Sequence, residues 1–276
     1  MLLADRNASA HLRAQLSSYL SEVVDDGERL LCTSQFSCRS SVGAARVMIE
    51  GQGSYVGACY GLTDGGKPLR ILVIPKQVGG SLDQSGDRGH EHVTLDRRGA
   101  QVASASFGPR PHPRTDHMIG TALALKVLLG FPAAGPETVS INGDQLHVFD
   151  CFAMANATLC SRVGDDASGQ GSARMFESCL SHLRQTIAIL EPNVVVAQGW
   201  SKTGWSPSRS AATILGVPLP QKNSLTVTNS AHGPVAFIAA VHPSRNWFTT
   251  TMPSWRELEP VLTDARVAVL GGRSHS

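Results

Sequence analysis

The sequence predicts an α/β fold, a three-layer αβα sandwich around a mainly parallel central sheet. Three observations carry this. The runs "LRILVIP" (69–75) and "NVVVAQG" (193–199) are continuously apolar and rich in β-branched residues. Strands that face solvent on one side alternate instead, so these runs read as strands buried on both faces. Such runs alternate along the chain with segments of helical period, the pattern of α/β folds. With 276 residues, 42% hydrophobic and 17% charged, the chain is long and apolar enough for one sizeable core. No internal repeat and no linker-like composition divides it, so a single domain over 1–276 is expected.

The elements follow in order. Residues 9–24 place Leu12, Leu16, Leu20 and Val24 at i, i+4 spacing, an amphipathic helix with Ser9 as its expected cap. The stretch "LLCTSQFSCRSSVGAARVMIEGQG" reads as short and irregular. The first buried strand, 69–75, ends at Pro75. Residues of about 80–117 are rich in Gly, Asp, Arg and His and contain "GPRPHPR"; a long loop is expected, and a loop of that length suggests function. "HMIGTALALKVLLG" returns to helix and stops at Gly130. "DQLHVFDCFAMAN" (144–156) reads as a second strand running into a loop. Ser172 opens a helix with Phe176, Cys179, Leu180, Leu183 and Ile187 on one side. Pro192 ends it before the third buried strand. "SRSAATILG" is read as a short helix, "SLTVTN" and "VAFIAAV" as two strands, and "SWRELEPVLTDAR" as a helix interrupted by Pro260.

The bulk numbers exclude little. The net charge of +2 neither proves nor opposes a polyanionic partner. The opening "MLLADRNASA" lacks a basic region followed by an apolar run, so no signal peptide is expected. No run of about 18 apolar residues predicts a membrane span, and a cytoplasmic, monomeric chain with no membrane partner is expected. In that setting the six cysteines are not expected to form disulfides. They read as buried small hydrophobes or as metal ligands. "GQGSYVG" lacks the strand-then-helix setting of a dinucleotide loop. "HEH" (90–92) reads as a solvated loop rather than a metal site.

In α/β sheets, sites collect beyond the carboxyl ends of the strands. Three loops fall there: after Ile74, after Ala153 and after Val241. The last carries "AAVHPSRNWF" (239–248), where an apolar run stops at His242, Pro243 and Ser244 and is followed by a cation, an amide and an indole. Upstream, "CLSHLRQTIAILEPNVVVAQG" resembles the cysteine-bearing helix, proline and buried strand of the uracil-DNA glycosylase superfamily, in its iron-sulfur branch. "NATLC" (Asn156–Cys160) is similar to that branch's Asn-x-x-x-Cys loop. "CTSQFSC" followed by "VMIEGQG" resembles its N-terminal cysteine pair and the approach to the first strand, and "VHPS" its second active-site motif. The matches come in family order across roughly 30–250. The chain also departs from the family. Where the branch has Gly-Glu-Ala-Pro-Gly, this sequence has "PKQVG", with Lys76 in place of the acid and Gln77 beside it. The first cysteine pair is separated by five residues rather than two.

The resemblance implies a uracil-DNA glycosylase-like fold and an enzyme that cuts the N-glycosidic bond of a base flipped out of DNA. It implies His242 as donor to the leaving base, Asn156 as reader of the base edge, and Gln77 to orient water. Asp83 falls where the family often has an acid, and is the expected electrostatic partner of the sugar cation. Lys76 beside that cation reads either as a phosphate contact or as a nucleophile forming a covalent intermediate. Ser244 and Arg245 are expected on phosphates, and Trp247 as a wedge in the duplex or as a core residue. Cys32, Cys38, Cys160 and Cys179 are the expected ligands of a [4Fe–4S] cluster, with structural zinc as alternative. Cys59 is a substitute for one of the first pair, and Cys151 a core residue.

Three function classes follow. The first is a monofunctional DNA glycosylase acting on uracil or, equally, on a bulkier modified pyrimidine such as a glucosylated hydroxymethylcytosine in phage DNA, which would make it a defence enzyme. The second is an iron-sulfur DNA-binding protein without catalysis. The third is an enzyme that crosslinks to abasic DNA through a histidine or lysine.

Overall fold

The computed structural model describes residues 1–26, 29–42, 47–49, 51, 53–76, 99–100, 102, 116–163, 169–244, 246 and 249–271. In chain order these form β1 (Leu2–Ala4), α1 (Arg6–Val23), α2 (Gln35–Ser40), β2 (Val47–Ile49), β3 (Tyr55–Val56), β4 (Leu62–Asp64), β5 (Lys67–Leu69) and β6 (Ile71–Pro75). There follow α3 (Asp116–Leu128), β7 (Thr138–Ile141), β8 (Asp144–His147), β9 (Phe152–Met154), β10 (Ser161–Val163), β11 (Gly169–Gln170), α4 (Ala173–Leu190), β12 (Val194–Gln198), α5 (Pro207–Leu215), β13 (Ser224–Ser230), β14 (Gly233–Ala240) and α6 (Pro253–Leu270).

Six strands make the main sheet, in the order β13-β14-β12-β6-β9-β3. The central four, β14, β12, β6 and β9, run parallel, and the two edges are antiparallel. The expectation of a mainly parallel sheet is met. The apolar runs are buried as their composition requires: Ile71, Leu72, Ile74 and Val194 to Ala197 are fully inaccessible. Each of these valine, leucine and isoleucine side chains contributes about 1.5–3 kcal/mol over its exposed state.

Alternate residues of the same strand feed two different cores. Ile71, Val73, Val194, Val196, Ala236 and Ile238 pack with α3 and α6 through Leu125, Leu128, Trp255 and Leu262. Their neighbours Leu72, Ile74, Val195, Ala197, Phe237 and Ala239 pack on the opposite face with α1, α4 and α5, through Leu16, Phe176, Leu183 and Ala211. This is the period-2 alternation of a strand with helices on both sides.

Several expectations need correction. The first helix begins at Arg6, and its cap is Asp5, whose carboxylate accepts from the Ala8 N–H at 2.9 Å. Ser9 lies inside the helix, where its hydroxyl donates to the Asp5 carbonyl and accepts from the Gly61 N–H. The 32–42 stretch is not wholly irregular, because α2 forms there around the buried Cys38. The 144–156 run is two strands rather than one. A 3₁₀ turn over Val148–Cys151 separates β8, paired in a small hairpin with β7, from β9 in the main sheet. Pro260 does not interrupt α6. It sits on the exposed side, while Trp255, Leu258, Leu262 and Ala265 on the other side are fully buried. Their burial outweighs the ~3 kcal/mol that an interior proline costs. Ser172 caps α4 as expected, its hydroxyl accepting from the Met175 N–H. The long loop expected at about 80–117 falls almost entirely outside the described residues.

Candidate functional site

The four parallel strands end together at one edge. β6 ends at Pro75 beside Gln198, the last residue of β12, which in turn faces Ala240, the last of β14. β9 runs level with β6, and the chain beyond it stays attached, since Ala155 N–H donates to the Val73 carbonyl at 3.1 Å and Ala157 N–H to the Pro75 carbonyl at 3.4 Å. Lys76, Asn156 and His242 therefore leave the sheet on the same edge, as expected. The β9 and β14 backbones are separated by three strand spacings, about 14 Å.

His242 is half-buried in the turn after β14. Burial lowers its basicity to about 4, and the nearby Lys76 charge pushes in the same direction. At neutral pH the ring is thus an uncharged imidazole, able to donate from one nitrogen. Asn246 holds the turn: its side-chain amide donates to the His242 carbonyl at 2.6 Å and to the Ser244 carbonyl at 3.2 Å. Asn223 holds its start, accepting from the Val241 N–H at 3.1 Å. Ser244 is half-buried in the same turn, and Lys76 is exposed. Asn156 is 3% exposed, in a loop whose residues Ala155 to Cys160 are all buried. A buried amide needs its bonds fixed, which suits a reader of a polar edge. Gln77, Asp83, Arg245 and Trp247 lie outside the described residues, as does "HEH".

Sequence reading missed two residues at this edge. His117, in the first turn of α3, stacks on His242 with ring centroids 5.1 Å apart and planes at 25°. Gln198, fully buried at the end of β12, bonds His117 Nε2 through its Oε1 at 2.8 Å. The one local signal is a glutamine closing the otherwise apolar strand β12; nothing in the sequence pairs it with the histidine in the first turn of α3.

Four cysteines gather on the α1–α4 side. Cys38 and Cys160 share a small apolar cluster with Met175, and Cys179 packs with Val24 and Leu159. Cys179 lies within electrostatic reach of both Cys32 and Cys38. Burial and those neighbouring thiols push its pKa up to about 12, although the Leu159 N–H, donating to its sulfur at 3.4 Å, opposes this. Cys32 is raised by burial and by Cys38. Thiols that disfavour one another's ionisation fit a bound cationic group, which would stabilise the thiolates. Cys32 also bonds His182 Nε2 at 3.6 Å, and His182 Nδ1 meets the Tyr19 hydroxyl at 2.8 Å. Among the described residues, no three or more His, Cys, Asp and Glu side chains close around one point as a single ion requires. Cys59 does not replace a member of the first pair. It is buried in the main core with Cys151, its N–H donating to the Asp150 carbonyl at 2.7 Å.

An open groove of about 740 Å³ lies elsewhere, between α1 and α4, lined by Tyr19, Arg70 and Glu191 among others. Arg70 and Glu191 precede β6 and β12, at the opposite end of the sheet from His242. "GQGSYVG" leads into the antiparallel edge strand β3 and not into a helix, so it is no dinucleotide loop. Among the described residues no helix is long and apolar enough to cross a membrane. No family model matches this chain, and no curated protein sequence does.

Proposed function

We propose that this chain is a DNA glycosylase of the uracil-DNA glycosylase superfamily's iron-sulfur branch, acting on a flipped pyrimidine. The observation that carries the reading is the placement of a neutral His242 and a buried Asn156 beyond the carboxyl ends of parallel strands on the same edge of the sheet. Breaking the C1′–N bond leaves negative charge on the base and positive charge on the sugar. An uncharged imidazole N–H donates to the base oxygen where that charge appears, and contributes most in the transition state. It needs no prior protonation, so it works at neutral pH. The Asn156 amide offers one donor and one acceptor to the O4/N3 edge of uracil, or to the complementary edge of a cytosine. Gln77 orients water in this reading, with Asp83 facing the cation. Ser244 and Arg245 hold phosphates, and Trp247 fills the gap left in the duplex.

Cys32, Cys38, Cys160 and Cys179 would hold a [4Fe–4S] cluster. Such a cluster fixes loops and takes no part in the bond cleavage. Its four irons keep the thiolates farther apart than a single zinc ion would. An absorbance band at ~400 nm and about four irons per chain would support the assignment; a colourless, iron-free protein would overturn it.

Lys76 favours a second substrate reading. An exposed cation stands near His242 where the family has an acid. That exchange fits a remodelled pocket for a bulkier modified pyrimidine, and with it a role in defence against phage. Duplexes carrying uracil, hydroxymethylcytosine or glucosylated hydroxymethylcytosine, scored for alkali-labile sites, separate the two substrates. If no duplex yields such sites, the non-catalytic DNA-binding reading takes over.

A further inference from the structure

Of the four parallel strands, β12 contributes no residue to the proposed chemistry, yet it ends in a fully buried glutamine. Burying an amide costs free energy unless its bonds are made. The partners of Gln198 fix one arrangement. The Thr121 hydroxyl has one proton and two acceptors in reach, the His117 carbonyl at 2.8 Å and Gln198 Oε1 at 3.4 Å, and the nearer carbonyl takes it. The hydroxyl can therefore only accept from Gln198, and the Gln198 Nε2 amide donates to it at 3.0 Å. That sets the amide orientation and turns Oε1 towards His117 Nε2 at 2.8 Å, so Nε2 of His117 carries a proton. Thr121 is itself inaccessible to solvent. The relay is closed, and its outcome is a single ring position and a single Nε2–H assignment for His117. That ring is the one stacked on His242.

We infer that His117 is a positioning residue of the site, a shelf locked by Thr121 and Gln198 that fixes the ring plane of His242. The inference rests on the glycosylase reading for its consequence in catalysis but not for its geometry. The imidazole of His242 has to point one N–H at a base oxygen. Its own backbone fixes only where the side chain starts, and the turn is held through Asn246 and Asn223 at backbone carbonyls and amides. The ring's remaining rotation is limited by what lies against its face, and His117 lies there. The relay explains why strand β12 ends in Gln198 rather than another valine. Gly199 follows for a separate reason. Its φ of +144° suits glycine, and an added Cβ would come within 3.0 Å of the Pro207 ring.

The experiment has two arms on the full chain. In the first, ¹⁵N-histidine NMR reads ring tautomers in the wild type, in His117→Phe and in His117→Ala, with thermal melts as a folding control. His117 is expected as the Nε2–H form, and the His242 ring signals are expected to move or broaden in His117→Ala but to stay close to wild type in His117→Phe, which keeps a flat ring. In Thr121→Val the amide of Gln198 is free to reverse, and His117 is expected to shift towards the Nδ1–H form. In the second arm, base release is followed on the duplex that proves to be substrate. His117→Ala is expected to lower kcat by up to ~100-fold with KM little changed, the cost of a misplaced catalytic group, and His117→Phe to recover most of it. Unchanged His242 signals in a folded His117→Ala overturn the proposal, and so does a His117→Phe as slow as His117→Ala, which would make the ring nitrogen itself a substrate contact. If the wild type releases no base, the glycosylase reading fails, while the NMR arm still decides the shelf.

Discussion

At the C-terminal edge of the sheet, Lys76, Gln198 and His242 follow or end three neighbouring strands in continuous register, each buried on both faces. At the cysteine corner, Cys32, Cys38, Cys160 and Cys179 come from a loop, the short α2, a second loop and the middle of α4, backed by two small apolar clusters. The first region is positioned by the main core. The second has little core of its own, and its order depends on what ties the thiols together. One short loop joins them: Asn156 stands at its start by the sheet and Cys160 at its end, and the Leu159 N–H is bonded to Cys179 Sγ in between. Asn156, the proposed base reader, is thus hung between the two regions, and His242, the proposed donor, belongs to the sheet alone.

This contrast is sharpest under mutation. His242→Gln removes the imidazole from a site that the sheet holds rigid. Single-turnover base release is expected to fall ~10²–10³-fold, as when one oxyanion donor is lost, with the melting temperature unchanged. A variant with wild-type rate would remove His242 from the chemistry and return the chain to a binding role. Cys179→Ser attacks the other region. It removes one thiolate of the proposed cluster and replaces the sulfur acceptor of the Leu159 N–H by a shorter hydroxyl, and a loss of ~3–5 kcal/mol would lower the melting temperature by roughly 10 °C. Recognition that depends on Asn156 is expected to weaken, raising KM, while the His242 ring signals stay in place. If His242 moves as well, the two regions are not mechanically separate.

The same division decided what could be read from the sequence. "LRILVIP" and "NVVVAQG" identify central strands because burial on both faces leaves no other pattern, and parallel strands then bring His242, Asn156 and Lys76 to one edge. The 144–156 run was misread because Val148, Phe149 and Cys151 are buried in a 3₁₀ turn, and burial alone does not distinguish a turn from a strand. Asp5 was missed as a cap because Ser9 offers the same chemistry three residues into the helix. His117 and Gln198 were out of reach for another reason. Their roles depend on which strand end meets which helix start, some eighty residues apart in the chain, and no local pattern encodes that.

Acid tests the sheet region more gently. The folded pKa of His242 is about 4 and its unperturbed value is 6.5. Between those values the unfolded chain binds the extra proton, so this group's contribution is fully present above pH 6.5 and is lost as pH falls towards about 4. The shift corresponds to at most ~3.5 kcal/mol. Denaturant melts of wild type and His242→Gln at pH 7 and 4.5 measure it, and the wild type is expected to lose more stability on acidification. Base release should stay flat from neutrality down to about pH 5 and then fall as the ring becomes charged. A fall centred at 6.5 would mean that the ring is not held as described.

The smallest effect expected is that of Lys76. Its charge is the second cause of His242's low basicity, after burial, and the side chain is exposed, so water and salt screen it. Lys76→Met should raise the His242 midpoint by less than about half a unit, with 1 M salt moving the wild type the same way. A shift of more than about one unit would place the ammonium in a dry site against the ring. That outcome would bring back the covalent alternative, because a lysine held out of water loses its proton more readily and becomes a nucleophile. Borohydride trapping then separates the cases. A screened surface lysine gives no protein–DNA adduct and leaves the sheet edge with His242 as its one reacting group among the described residues. An adduct that disappears in Lys76→Met would make the chemistry shared between two strand ends, β6 and β14.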